Sequence, residues 1–119
     1  MKDFRDLQVW QKAHQIVLNI YRVTAEFPGD ELYGLRSQMR RCSVSMPANI
    51  AEGCGKGTDK DFSRFLQIAM GSACELEYHL LLSRDLSYIE RDQYESICSD
   101  LIEVKKMLAG LTRRLRADP

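Results

Sequence analysis

Few residues in this chain of 119 have the type and spacing to do chemistry. The candidates are two histidines (His14 and His79), four separated cysteines (Cys42, Cys54, Cys74 and Cys98), the run Gly53-Cys54-Gly55-Lys56-Gly57, and the carboxylate Glu75. A di-iron centre in a helical bundle needs two Glu-x-x-His pairs, and neither histidine follows a glutamate by three. No cysteine forms a C-x-x-C pair, the spacing zinc sites commonly use, so no metal is expected. The run from Gly53 to Gly57 looks like a phosphate loop only superficially. It lacks a preceding strand and the GxxxxGK[ST] spacing. No serine or cysteine stands in a context that names an activating base. These patterns point to no enzyme, no catalytic residue and no cofactor.

Composition sets the frame around those residues. Hydrophobic residues make up 45% and charged residues 29%, the balance of an ordinary soluble protein. Lysine plus arginine is 17 and aspartate plus glutamate is 17. A neutral chain is a poor candidate for binding nucleic acid by bulk charge, though a local basic patch remains open. No apolar run approaches 18 residues and no charged-then-apolar leader is present. The reading is a cytoplasmic protein with reduced thiols, no membrane contact and one domain over residues 1–119. That length is near the size where oligomerisation commonly adds burial.

Helical periodicity runs through most of the chain. A first helix is expected from about Asp6 to Glu26, capped by Asp6 or Asp3. Its inner stripe reads Leu7, Trp10, His14, Val17, Leu18 and Tyr21. That places His14 as a core histidine and Trp10 as a core or subunit-contact aromatic. Phe27-Pro28-Gly29-Asp30 stops it. A second helix begins between Asp30 and Arg36 and ends near Gly53, where Gly53, Gly55 and Gly57 supply exit positions. Leu35, Met39, Cys42, Met46 and Ile50 keep helical spacing through Pro47. Proline removes the bond to the Ser43 carbonyl, so the expectation is one helix kinked at Pro47. The alternative is two short helices meeting at Met46.

A third helix follows Thr58, whose hydroxyl can cap, with Asp59 and Asp61 favouring the positive end of the dipole. It runs to about Ser87. One stripe is Phe62, Leu66, Ala69, Ala73, Leu76, Leu80 and Ser83. A second is Phe65, Ile68, Ser72, Glu75, His79 and Leu82. Two stripes exceed what one helix of a lone bundle buries, so part of this helix is expected at a subunit contact. Gly71, Ala69 and Ala73 would admit a close neighbour. A fourth helix, about Arg91 to Arg116, carries the heptad seam Tyr94, Ile97, Leu101, Val104, Leu108, Leu111 and Leu115. The fold class is all-α: an antiparallel up-and-down four-helix bundle, with helix two kinked at its proline.

Glu75 is the charge that this arrangement must explain. A buried lone carboxylate has to be paired or protonated. Arg40 or Arg41 is the expected partner. Gln38, Asn49, Glu52 and Ser72 complete a structural polar clasp between helices two and three. The competing reading makes Glu75 an acid–base residue in a cleft.

The same residues carry a resemblance. Phe27-Pro28, Glu31, Gln38, Arg40-Arg41, Ser45, Asn49-Ile50-Ala51-Glu52-Gly53, then Phe62, Phe65-Leu66, Ile68-Ala69, Gly71-Ser72 and Glu75 form a distinctive pattern. So does the opening Phe4-x-x-Leu7-x-x-Trp10-x-x-Ala13. The pattern is similar to that of the proteins encoded in intervening sequences of bacterial 23S ribosomal RNA genes. Accessory proteins of diversity-generating retroelements look like relatives. The resemblance implies a short up-and-down bundle that assembles into a ring-like homopentamer, in a family without an agreed biochemical activity. One departure is the loop after Gly53: the family often shows a basic residue two or three positions on, and here the loop reads Cys54-Gly55-Lys56-Gly57, with a single positive charge.

The fourth helix is electrically polarised. From Asp85 to Glu103 there are six acids against Arg91, and from Lys105 to Arg116 five bases and no acid. Acids first and bases last complement the helix dipole. Repeated around a ring, Lys105, Lys106, Arg113, Arg114 and Arg116 would also form a positive rim. Two functions follow as expectations: an RNA-binding or ribonucleoprotein accessory role, or a scaffold docking a partner enzyme. An unrecognised enzyme is the distant third.

Overall fold

The computed structural model describes residues 3–117. Four helices form it: α1 (Gln8–Thr24), α2 (Leu35–Cys54), α3 (Asp59–Asp85) and α4 (Arg91–Ala117), with 3-10 turns at Phe4–Asp6 and Gly29–Glu31. No strand occurs among the described residues. α2 packs on α1 and α3, and α4 packs on α3 and α1. Consecutive helices are therefore neighbours, and the last closes against the first. The short connections require antiparallel neighbours. The molecule measures 49 × 23 × 20 Å, longer than its two 27-residue helices, which span about 40 Å each at 1.5 Å per residue.

Helix starts separate local from tertiary causes. Thr58 Oγ1 accepts the Asp61 amide at 3.1 Å, the N-cap bond that its type predicts. The expectation for α1 fails. Asp6 lies inside the first 3-10 turn, Asp3 caps that turn by accepting the Arg5 amide at 2.9 Å, and Leu7 begins α1 without a side-chain cap. At the start of α2 the cap comes from outside the helix. Glu31 Oε1 accepts the Leu35 amide at 3.0 Å, and its other oxygen accepts the Tyr88 hydroxyl at 2.9 Å.

α2 is helical without interruption through Pro47, so the two-helix alternative is excluded. What is seen at Pro47 is continuity; the expected kink does not show as a break. The helix ends near Gly53 as expected, but not through the glycines' conformation. The helix continues through Gly53 to Cys54, and of the three glycines there only Gly57 has positive φ, at 90°. Gly53 serves packing instead. A Cβ on it would lie 2.7 Å from Phe65 Cβ and 3.0 Å from Phe62 Cδ1. A side chain at this position would push α3 away.

The α3–α4 turn closes with Ser87 at φ 62°. Its amide donates to Arg84 O, and the Tyr88 amide donates to Ser83 O, both at 2.9 Å. These are the two bonds of a Schellman motif, whose left-handed position usually holds glycine.

The core follows α3 and α4 as the heptad and stripe patterns require. Leu66, Ala69, Ala73, Leu76 and Leu80 are buried, as are Ile97, Leu101, Val104 and Leu108. Ala69 and Ala73 thus face this chain's own core, while Gly71 is exposed with open space around it. The inner stripe of α1 needs a correction. The buried residues are Val9, Ala13, Ile16, Val17, Ile20 and Val23. Leu18 and Tyr21 point outward, each 43% exposed. His14 is exposed and lies flat on the half-buried Trp10, ring centroids 4.9 Å apart. The larger apolar side chains drew the reading to the wrong face. Small Ala13 and the β-branched residues beside it were the ones that fit the interior.

Candidate functional site

α2 and α3 present polar groups to each other along one seam. Ser72 Oγ donates to Ser45 Oγ at 2.8 Å, and Asn49 Nδ2 donates to Ser45 O at 2.8 Å and to Ser45 Oγ at 3.0 Å. Ser45 is thus the hub joining the helices just before Pro47. The remaining residues of the expected clasp are placed elsewhere. Arg40 turns toward α1. Its Nε donates to Thr24 Oγ1 at 2.9 Å, one Nη donates to Tyr21 O at 3.2 Å, and the guanidinium lies 4.5 Å from the Tyr21 ring centre. It serves the carboxyl end of α1, where a positive charge is favourable. Glu52 pairs with Lys56 at 3.8 Å on the surface, and Gln38 is exposed.

Glu75 has a different partner from the one expected. Its side chain is 52% exposed and lies 3.6 Å from His79 Nε2, one helical turn on. His79 is buried, and its Nδ1 lies 3.5 Å from Cys42 Sγ on α2. The three groups cluster, the carboxylate at the rim and the imidazole and thiol inside. A proton on Nε2 faces the carboxylate and leaves Nδ1 to accept from the thiol, the tautomer this geometry favours. Arg41, exposed, supplies a positive field to both inner groups.

This order resembles a nucleophile–base–orienter chain, but its energetics oppose that use. Burial, and then the Glu75 charge, push the Cys42 thiol up to about 12. Burial pushes His79 below the usual histidine value, against the opposing pull of Glu75. Thiol and imidazole are both neutral at pH 7, and Cys42 is only 4% exposed. A protonated thiol sealed inside a helix pair is no nucleophile.

Sequence reasoning missed the roles of Cys42 and His79. The signal was present in halves: Cys42 on the inner stripe of α2, and Glu75 and His79 four apart on α3. Only the packing of the two helices joins them.

The basic half of α4 is divided by the structure. Lys105 Nζ bonds Glu77 at 2.7 Å and ties α4 to α3. Lys106, Arg113, Arg114 and Arg116 form no ion pair with a described residue. Lys106 and Arg114 line a groove of about 580 Å³ beside Asp6, Leu7 and Gln8. Arg116 lines a second, of about 680 Å³, with Asp59, Lys60 and Arg64 from the start of α3. Both grooves lie at the same end of the bundle.

Comparison with known proteins agrees with this architecture. The 23S rRNA-intervening sequence protein family matches over residues 5–110. That span includes Lys105 and Lys106 and stops short of Arg113, Arg114 and Arg116. A solved structure from Bacteroides thetaiotaomicron, a protein of unknown function from the S23 ribosomal protein family, is 31% identical with a TM-score of 0.82. The similarity covers 88% of this chain and 98% of that one. No curated protein matches the chain. No helix of the described residues is long and apolar enough to cross a membrane. The bundle, its residue pattern and this match agree: the chain belongs to the 23S rRNA-intervening sequence protein family.

Proposed function

We propose that the protein is a non-catalytic, oligomeric bundle that binds RNA through the carboxyl-terminal end of α4. The observation that carries this reading is the set Lys106, Arg113, Arg114 and Arg116, basic side chains without a carboxylate partner among the described residues. The charge of the whole chain is zero, so affinity depends on concentrating this end. A ring of copies, pentameric in the resemblance, does that by repeating the basic rim. The family's association with ribosomal RNA genes supports an RNA partner. Lys105 is subtracted from the rim because Glu77 already holds it.

The outward apolar side chains support the oligomer. Leu18, Tyr21, Val44, Ile68, Tyr78 and Ile102 are each at least 40% exposed, which gives all four helices apolar surface for a neighbour. The same surface favours a second reading, a scaffold that docks a protein partner and binds no nucleic acid.

The test is a titration of structured RNA with the purified protein at several salt concentrations, after its mass in solution has been measured by light scattering. The proposal expects an oligomer whose log affinity falls linearly with log salt, because each phosphate contact releases counterions. Replacing Arg113, Arg114 and Arg116 together by Ala should flatten that slope. A protein that binds no RNA at low salt supports the scaffold reading instead. A monomer removes the basis for the rim.

A further inference from the structure

Cys42, His79 and Glu75 converge from α2 and α3. One donor atom from each of these residues lies within 4.8 Å of the other two. From this geometry we propose that Cys42, His79 and Glu75 hold a divalent ion of the zinc class between α2 and α3.

The donor chemistry is selective. A thiolate, an imidazole and a carboxylate are the ligand types zinc takes, and the soft sulfur disfavours magnesium and calcium, which take oxygen. The charges also match. Once bound, Cys42 as thiolate and Glu75 as carboxylate supply two negative charges against the two positive charges of the ion. Zinc bonds of about 2.0–2.3 Å in a tetrahedron set donors about 3.3–3.8 Å apart. The separation of 3.5 Å between Cys42 Sγ and His79 Nδ1 already falls there. Glu75 is the adjustable member. Its half-exposed side chain lies on the same helical face as His79, four residues away.

The arrangement also indicates what kind of site this is. Three protein ligands leave a fourth position, on the solvent side beside Glu75, for water. The site would clamp α2 to α3 without closing fully, since Cys42 comes from α2 and the other two donors from α3. The absence of a C-x-x-C motif does not bear on it, because Cys42 and His79 are 37 residues apart and their pairing belongs to the packing. Arg41 is a nearby charge that opposes a cation, and it is exposed.

The experiment is titration of the full chain with cobalt(II), read by the thiolate-to-cobalt charge-transfer band and the visible bands of tetrahedral cobalt, followed by displacement with zinc(II). The expected result is saturation at one cobalt per chain, with the bands removed by zinc. Cys42→Ser and His79→Gln should abolish the charge-transfer band, while Cys74→Ser, at the exposed cysteine, should leave it intact. Circular dichroism checks that each variant keeps its helices. If Cys42→Ser does not fold, Glu75→Gln decides, since its exposed side chain is dispensable for the core. It should weaken cobalt affinity at least about tenfold. The proposal is overturned by the absence of a charge-transfer band, by a band that survives Cys42→Ser and disappears in Cys74→Ser, or by unchanged affinity in Glu75→Gln.

Discussion

At the amino-terminal end of α4 the polar groups are used on one another, whereas at its carboxyl-terminal end they face solvent. The first end is a knot. Glu31 holds the Leu35 amide and the Tyr88 hydroxyl, Arg36 Nη2 donates to Phe27 O at 2.9 Å, and the Phe27 ring lies 5.2 Å from that of Tyr88. The second end is a set of exposed guanidinium and ammonium groups over two open grooves. Both ends are rich in charge in the sequence. The difference is that one loop, Phe27 to Gly34, folds back over its end, while the α2–α3 turn at the other end is short and leaves α4 uncovered. Charged residues at the knot should therefore matter for stability, and those at the open end for binding.

The largest effect should come from the knot's apolar centre. Phe27→Ala removes a ring only 4% exposed and should cost about 3–5 kcal/mol in denaturant unfolding at fixed protein concentration. A cost below that of an ordinary surface change would mean the knot is not packed as described. Next is Gly53→Ala, near the open end. The close approach of Phe65 and Phe62 predicts destabilisation of about 1–3 kcal/mol by overpacking. A neutral result would show that α3 can shift at no cost.

A smaller effect, of opposite sign, belongs to the turn into the knot. Ser87→Gly relieves a left-handed residue and should raise stability by about 0.5–1 kcal/mol, less than the full left-handed penalty because glycine also loosens the unfolded chain. The melting temperature reads this directly. The pH dependence of the knot is finer still. The Leu35 amide first, and the Tyr88 hydroxyl second, hold the Glu31 carboxyl below the ordinary 4.5. Its stabilisation is complete above that value and is lost as pH falls through the lowered one. Bonding to Glu31 raises the Tyr88 hydroxyl above its usual 10, so its contribution is complete below 10 and lost as pH rises beyond. Glu31→Gln should flatten the stability curve at both extremes, and melting across the pH range measures it. At the open end, Arg113→Ala, Arg114→Ala and Arg116→Ala should each change stability by no more than about 0.5 kcal/mol. A larger loss would mean these side chains are structural after all.

Much of the fold was legible because α3 and α4 are long and strongly periodic. Leu66 to Leu80 and Ile97 to Leu108 could hardly face anywhere but inward. α1 was misread by one face, since Trp10, Leu18 and Tyr21 are larger than Ala13 and hydrophobicity alone favours the larger groups. A surface that also carries apolar residues for a neighbour weakens the amphipathic signal. Within the candidate site, Ser72 and Asn49 both bond Ser45 at the α2–α3 seam. Arg40 does not join them, because the carbonyl of Tyr21 and the hydroxyl of Thr24 become its partners only when α1 lies alongside α2.

The sequence by itself determined the number of helices, the cap at Thr58, the heptad face of α4 and the polarity of its charge. All of these depend on neighbours within a few positions, where helical geometry fixes who meets whom. Tertiary structure alone decided that Glu75 meets His79 and Cys42 rather than an arginine, that Gly53 serves packing, and that Lys105 is held while Lys106 is not. Those outcomes depend on the rotation of one helix against another. Close packing sets that rotation over the whole interface, and no short stretch of sequence carries it.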